Sequence, residues 1–407
     1  MRVLVLGWEY PPAVAGGLGV ACRGLTTALA DRGHRVVLAT PRLEGAPDPE
    51  PHPGVTRIAI AATVEGDARP GRALPLDPYA TDDERAASTE RGAATQRLYG
   101  RDLRVAVDRY TRAAVDALAE TEFDVIHAHD WMTVGAALRL RFQRKRPFVF
   151  HVHSTAYDRQ GGESRGRRGP IADVERVGAR TADAICTVSG HTRGVLTREY
   201  GVDPGRVHVV YNAPTEDVPL DAPHATPHAP TVLFVGRLTR QKGVGFLLRA
   251  AVEVLRQRPD GRFVVVGDGE ERARLVELAA SLGIARRVFF TGSIDDAARE
   301  RAYRTADVLV LPSVSEPFGL TPIEALQRGV PVVVSDACGA REVLSSAPSV
   351  PPWDAPQLAG EILRLLGDPG LRDDLVARGR AELDELSWNR SAASLERAFE
   401  GVLAAER

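Results

Sequence analysis

Tyr211-Asn212-Ala213-Pro214, then residues 217–230 with prolines at 219, 223, 227 and 230, then Thr231-Val232-Leu233-Phe234-Val235: this succession divides the chain. Closely spaced prolines favour extended, semi-rigid backbone, so 214–230 is predicted to be an interdomain linker. It is short enough to keep the two domains in contact. Before it, apolar β-branched runs at 2–6, 34–39, 55–61, 123–127, 148–152, 184–188 and 207–210 predict strands. Helical patterns lie between several of them, at 17–31, 84–120, 131–143 and 170–181. After it the scheme repeats, with strands predicted at 231–235, 263–266, 288–290, 308–311 and 332–334. Strands apolar on both faces and separated by helices read as parallel βαβ units. The expected fold class is α/β: two Rossmann-like, doubly wound parallel-sheet domains, 1–213 and 231–387, facing each other across a cleft. Ligands of such sheets bind outside the carboxyl ends of the strands. From residue 355 the chain is helical. A last helix, 388–407, is predicted to start after Ser387 as N-cap and to pack back on the first domain. Residues 44–80, rich in Pro and Gly, are expected to form an irregular excursion, either a surface loop or a wall of an acceptor site.

Composition narrows the class. At roughly 100–200 residues per domain, 407 residues suit two or three domains. A net charge of −2 exerts no global pull towards nucleic acid or anionic membrane. Cys22, Cys186 and Cys338 are odd in number, far apart and without metal-ligand spacing, which excludes a disulfide framework and fits a reducing cytoplasm. The apolar run at 2–6 is too short for a signal peptide, and no 18-residue apolar stretch predicts a transmembrane helix. Only two of the 52 basic residues are lysine, Lys145 and Lys242; the only asparagines are Asn212 and Asn389. A GC-rich coding bias drains both residue types, so a lysine kept outside a basic run is informative. Lys145 stands in such a run, Arg144-Lys145-Arg146; Lys242 does not.

Four segments carry chemistry. Gly16-Gly17-Leu18-Gly19 follows the first strand and opens a helix, where glycine amides and the helix N-terminus attract an anion; a plain tight turn fits equally well. Arg237-Leu238-Thr239-Arg240-Gln241-Lys242-Gly243 puts cations at the carboxyl end of a parallel strand, where a diphosphate would sit. Glu316-Pro317-Phe318-Gly319-Leu320-Thr321-Pro322-Ile323-Glu324 follows another strand, with Pro322 suited to a first helical turn. Two carboxylates beside a diphosphate site need hydroxyl donors, which sugar and ribose supply. Glu324 also reads as a helix-start acid favoured by the macrodipole. His127-Ala128-His129-Asp130-Trp131 and His151-Val152-His153-Ser154 end two strands. Histidines two apart share a face, but no carboxylate completes a metal site and the chain has no Asp-x-Asp.

These residues resemble the family 4 glycosyltransferases, which have the two-domain GT-B fold. The carriers are Glu316 and Glu324 as the E-x7-E pair and Arg237 with Lys242-Gly243 five residues on. The N-terminal part resembles glycogen and starch synthases through Gly16-Gly17-Leu18-Gly19, His129-Asp130-Trp131 and Val152-His153. The resemblance implies that Arg237 and Lys242 bind the donor diphosphate and Glu316 the donor sugar. It implies phosphate or sugar contacts around Phe318, Gly319 and Leu320, and ribose at Glu324. Gly17 would let backbone approach the phosphate, while Gly267, Asp268 and Gly292 stand near the nucleobase. His153 would touch the transferred sugar, with Asp130 and Trp131 on the acceptor side. Glu316, His153, Lys242 and Arg237 form the implied catalytic set. Glycogen synthases carry a lysine where this chain has Val14, and the chain is short for a synthase. Both departures favour an acceptor smaller than glucan.

The resemblance further implies retaining transfer of a hexose from a nucleotide-diphosphate sugar to a hydroxyl-bearing acceptor, by front-face attack, with no metal or other cofactor. Three alternatives stay open: α-1,4-glucan synthesis; lipid glycosylation at a membrane touched by Arg139, Arg141, Arg144, Lys145 and Arg146; and a non-catalytic nucleotide-sugar-binding protein.

Overall fold

The computed structural model describes residues 1–11, 16–42, 52–60, 103–163, 168–215 and 229–405. The chain forms two compact units. The first gathers Met1–Arg159, Ser164–Thr215 and Ser387–Arg407; the second, Gln160–Glu163 and Glu216–Leu386.

The first unit holds β1 (Arg2–Leu6), β2 (Arg35–Pro41), β3 (Val55–Ile60), β4 (Val125–His129), β5 (Phe148–Val152), β6 (Ala184–Thr187) and β7 (Val207–Val209). They form one parallel sheet in the order β3-β2-β1-β4-β5-β6-β7. Side chains alternate across it, as strand geometry requires. Leu4, Leu6, Ile126, Ala128, Phe148 and Phe150 pack into one core layer. Val3, Val5, Val125, Val149, Ala184 and Cys186 pack into the other. That second layer is covered by the helices Gly17–Asp31 and Trp388–Ala405. Ser387 caps the latter, its Oγ accepting the Arg390 amide at 3.2 Å. Arg32 ties the two helices, donating to Glu396 at 2.6 Å and to Asn389 at 2.6 Å.

The second unit holds β8 (Thr231–Val235), β9 (Arg262–Val266), β10 (Val288–Gly292), β11 (Val308–Leu311), β12 (Val332–Ser335) and β13 (Ser349–Val350), again all parallel, in the order β10-β9-β8-β11-β12-β13. Each sheet reverses direction at one place, between β1 and β4 and between β8 and β11. The loops after those strands border the crevice where doubly wound sheets bind ligands.

Three sequence expectations change or fall outside this description. The short edge strand β13 was not foreseen. Of the helix expected over 84–120, Leu103–Ala117 is helical, and the part before residue 103 lies outside the described residues. Of the excursion at 44–80, Val55–Ile60 is the edge strand β3. Its other residues outside 52–60 are not described, nor are linker residues 216–228.

The packing of the last helix yields a test. A Cβ on Gly24 would lie 2.2 Å from the Trp388 ring. Helix propensity alone favours Gly24→Ala by about 1 kcal/mol. Overpacking costs about 1–3 kcal/mol and should win. Gly24→Ala is therefore expected to lower stability in a denaturant titration; a stabilised variant would contradict the packing.

Candidate active site

In the second unit the functional side chains stand on two neighbouring loops at the sheet's switch point. After β8 the chain makes a single 3-10 turn, Arg240–Lys242, ending at Gly243 with φ 65°. A side chain at Gly243 would collide with the Pro312 carbonyl, 2.1 Å from the position of a Cβ, so only glycine lets the loops approach so closely. The loop after β11 meets it there. The Val314 amide donates to the Gln241 carbonyl at 2.8 Å, and the Gln241 side-chain amide donates to the Ser315 carbonyl at 2.8 Å. Clamped in this way, Lys242 Nζ reaches Glu316 Oε2 at 2.5 Å, and Ser313 Oγ donates to the same oxygen at 3.0 Å. Glu316 is buried and Lys242 mostly so, with side chains 8% and 17% exposed. The pair is therefore poorly screened and its charges are largely fixed in direction.

The rest of the loop is fastened by backbone. The Glu316 amide donates to the Ala337 carbonyl, the Gly339 amide to the Glu316 carbonyl and the Ala340 amide to the Phe318 carbonyl. Phe318 is buried; Gly319, at φ 96°, turns the chain into the helix Leu320–Gln327. Pro322 lies in its first turn, as expected. Half-buried Glu324 accepts the hydroxyl of buried Tyr303 at 2.8 Å. Beside these loops, β8, β9 and β10 end in a close backbone junction. Gly236 donates to the Val266 carbonyl, Leu238 to Asp268 and Gly267 to Gly292. A Cβ at Gly267, whose φ is 128°, would lie 1.9 Å from the Gly236 carbonyl oxygen. Exposed Asp268 folds back on the Gly269 amide, and half-buried Arg237 follows directly after Gly236. Arg237, Lys242, Glu316, Phe318, Gly319, Gly267, Asp268 and Gly292 thus all lie at the carboxyl ends of strands of one sheet or in the loops that follow, and Leu320 and Glu324 lie in the helix after the β11 loop.

In the first unit, the odd-numbered rows of β4 and β5 continue the second core layer into histidine. His129 is the register partner of His151. His127 Nε2 and His151 Nδ1 lie 3.0 Å apart, and His129 Nδ1 and His153 Nε2 lie 2.8 Å apart. The rings of His129, His151 and His153 stack, while His127 is tilted against His129 and His151 and meets Phe399 edge-on. Burial, reinforced by the neighbouring imidazoles in all but His129, pushes the pKa values below the ordinary histidine value; His129 falls to about 3. Potential ligand atoms of His127, His129 and His151 lie within 4.8 Å of one another. A hydrogen-bonded pair of neutral imidazoles, however, shares a proton between its facing nitrogens. A metal taking both outer nitrogens of the His127–His151 pair would leave two N–H groups pointing at each other. Burial favours the neutral form of these rings.

Asp130 joins the stack to the next loop. Its Oδ1 accepts the His153 amide at 2.7 Å and the Ser154 amide at 3.4 Å. Its backbone sits at φ 56° and ψ 174°, a region nearly reserved for glycine, at a cost of about 1–3 kcal/mol. Burial raises its pKa to about 7, against the opposing pull of the His153 amide and Arg159. Trp131 packs into the first core layer. Gly17 opens its helix, preceded by Gly16, whose amide donates to buried Glu9 at 3.2 Å. Val14 lies outside the described residues. Sequence reasoning missed Gln241, Ser313, Tyr303 and Glu9: each acts through a partner distant in sequence or through an unremarkable residue type.

Each of the two parallel doubly wound units thus gathers polar side chains after its switch-point strands, Lys242 with Glu316 in one and Asp130 with His153 in the other. The model described as Glycosyltransferase Family 4 matches residues 15–215, and that described as Glycosyl transferases group 1 matches 221–382. A D-inositol 3-phosphate glycosyltransferase of Acidothermus cellulolyticus is 30% identical, over 97% of this chain and 87% of its own. A glycogen synthase of Mycobacterium tuberculosis is 29% identical, over 100% and 95%. The solved sucrose-phosphate synthase from Thermosynechococcus elongatus has a TM-score of 0.74 at 24% identity, covering all of both chains. The chain belongs to the family 4 glycosyltransferases and has their GT-B fold. Its N-terminal likeness to glycogen synthases holds over the full length.

The histidine stack makes stability pH-dependent. Its imidazoles stay neutral in the fold while the unfolded chain takes up protons below pH ~6.5. The unfolded state then binds more protons, so stability is lost as pH falls through that value. Asp130, raised by burial to about 7, runs the other way and offsets one of the four. A net loss of roughly 2–3 kcal/mol per pH unit is expected between pH 6.5 and 5.5. Urea midpoints at these two pH values measure it; equal midpoints would mean that the histidines titrate freely in the fold.

Proposed function

We propose that this glycosyltransferase moves a hexose, glucose first among candidates, from a nucleotide-diphosphate sugar to the hydroxyl of a small-molecule or glycan acceptor. Configuration is retained and no metal takes part. The observation that carries this reading is the Lys242–Glu316 pair at the switch point of the second sheet. Lys242 and Arg237 place positive charge where a diphosphate leaves, and positioned cations stabilise charge that develops in the transition state. Glu316 is an acceptor for sugar hydroxyls, held in one orientation by Lys242 and Ser313. Glu324 serves the ribose, with Tyr303 holding one of its oxygens. In the first unit His153 contacts the transferred sugar. Asp130 and Trp131 belong to the acceptor side, and there the structure favours an indirect part: Asp130 grips the His153 amide and Trp131 fills core.

With the cations neutralising the diphosphate, its oxygen can accept the proton of the attacking hydroxyl, so the step needs neither a carboxylate nucleophile nor a Lewis acid. A second reading, α-glucan synthesis, is favoured by the full-length match to a glycogen synthase. Incorporation of labelled glucose into glycogen separates the two.

Thermal shift against UDP-, ADP-, GDP- and dTDP-glucose selects the donor, since a ligand at a hundred times its Kd stabilises by about 2.7 kcal/mol. With that donor, Lys242→Ala and Glu316→Ala are each expected to lose at least about a hundredfold in turnover, about 2.7 kcal/mol of barrier. Lys242→Arg should also impair turnover, because a planar fork does not replace a compact ammonium against Glu316 and Ser313. Wild-type rates in the alanine variants would overturn the assignment. Activity should survive EDTA; loss restored only by added divalent metal would refute the metal-free step.

A further inference from the structure

The first unit buries a charged group that the reading above leaves without a task. Arg159 and Glu175 are 3% and 2% exposed and pair at 2.5 Å. Tyr200 donates its hydroxyl to Glu175 Oε2 at 2.5 Å. The Ala156 amide donates to both Glu175 oxygens at 3.0 Å, and Arg159 Nη1 donates to the Ser154 carbonyl at 3.2 Å. Asp130 holds the amides of His153 and Ser154. Asp158 Oδ2 accepts the Thr155 amide between them at 2.8 Å, so the backbone of residues 153–156 is gripped by four ionisable side chains.

Stability does not explain this arrangement. Desolvating a buried ion pair costs about as much as the pairing returns, and apolar replacements are often neutral or stabilising. Asp130 adds backbone strain to that cost. What charge-assisted bonds supply that apolar contacts cannot is direction: each fixes a named amide or carbonyl at a set angle. We propose that Arg159, Glu175 and Tyr200 are positioning residues for His153, setting the backbone that carries its ring without touching the sugar. This rests on the reading of His153 as a sugar contact. It separates the two units by function: the donor is bound by the loops after β8 and β11, and the group around Arg159 governs turnover alone.

The test replaces the pair by apolar residues of similar length, Arg159→Met with Glu175→Met, and measures nucleoside diphosphate release from the donor chosen by thermal shift. His153→Ala is measured alongside. The double variant is expected to fold with a lower melting temperature than the parent, because the Ala156 amide and Tyr200 hydroxyl lose their acceptor. Its kcat should fall at least about tenfold, since ångström-scale misplacement costs up to about a hundredfold, while donor KM stays within about twofold. If His153→Ala is slow but the double variant turns over at the parent rate, positioning is refuted and His153 keeps its role. If His153→Ala matches the parent, both the sugar contact and the positioning built on it fall. A rise in donor KM with unchanged kcat would also overturn the proposal. Should the double variant not fold, Tyr200→Phe carries the same test. It removes one hydroxyl and should lower kcat by about threefold or more with donor KM unchanged.

Discussion

The 2.5 Å contact between Lys242 and Glu316 is possible only because two loops from neighbouring strands are held at backbone distance. β8 and β11 pair through Val232–Val308 and Leu233–Leu309, which fixes where the loops begin. Gly243 then lets the first loop turn against the Pro312 carbonyl, and Gln241 fastens it to the second by one backbone and one side-chain bond. A lysine side chain has about 2 kcal/mol of rotamer entropy to lose on being fixed. Here the clamp brings the carboxylate close and the partly buried setting keeps the attraction from being screened. The charge pattern is a consequence of sheet topology: parallel pairing at the switch point brings an acid and a base from 74 residues apart to one place.

Much of this was legible in the chain because buried parallel strands announce themselves. Val-Leu-Phe-Val and Val-Leu-Val-Leu runs have no polar face to misassign, so β8 and β11 are found within a residue. β13 has two residues and no such run. Lys242 was legible for another reason: in a chain with 50 arginines, a lysine five residues after Arg237 stands out. Gln241 beside it carries no comparable signal, since its value lies in reaching the Ser315 carbonyl. The Glu324–Tyr303 bond joins two helices whose mutual rotation the sequence does not encode locally. The i, i+2 histidines were visible as two pairs. Their fusion into one stack depends on the β4–β5 register, which sets His129 beside His151.

The histidine cluster and the Lys242–Glu316 pair manage buried charge in opposite ways. Around the histidine stack, desolvation removes charge altogether, leaving neutral rings joined by N–H···N bonds. Around Lys242 the charges are kept, because an ammonium and a carboxylate compensate each other and a hydroxyl from Ser313 supports the carboxylate. Each choice suits the group's surroundings. An isolated buried imidazolium has no nearby anion to offset its desolvation.

Asp130 belongs to neither pattern, and it shows what the sequence could not. A residue between a strand and a helix normally serves as an N-cap. Its side chain makes no cap bond; instead it adopts a backbone conformation that glycine would accept without strain and turns its carboxylate towards the next strand's loop. Glycine there would remove the strain and also the acceptor for the His153 amide. Retaining aspartate at that cost places the value of the position in the direction given to residues 153–156. The Arg159–Glu175 pair, joining residues 16 apart, grips the same backbone through the Ser154 carbonyl and the Ala156 amide.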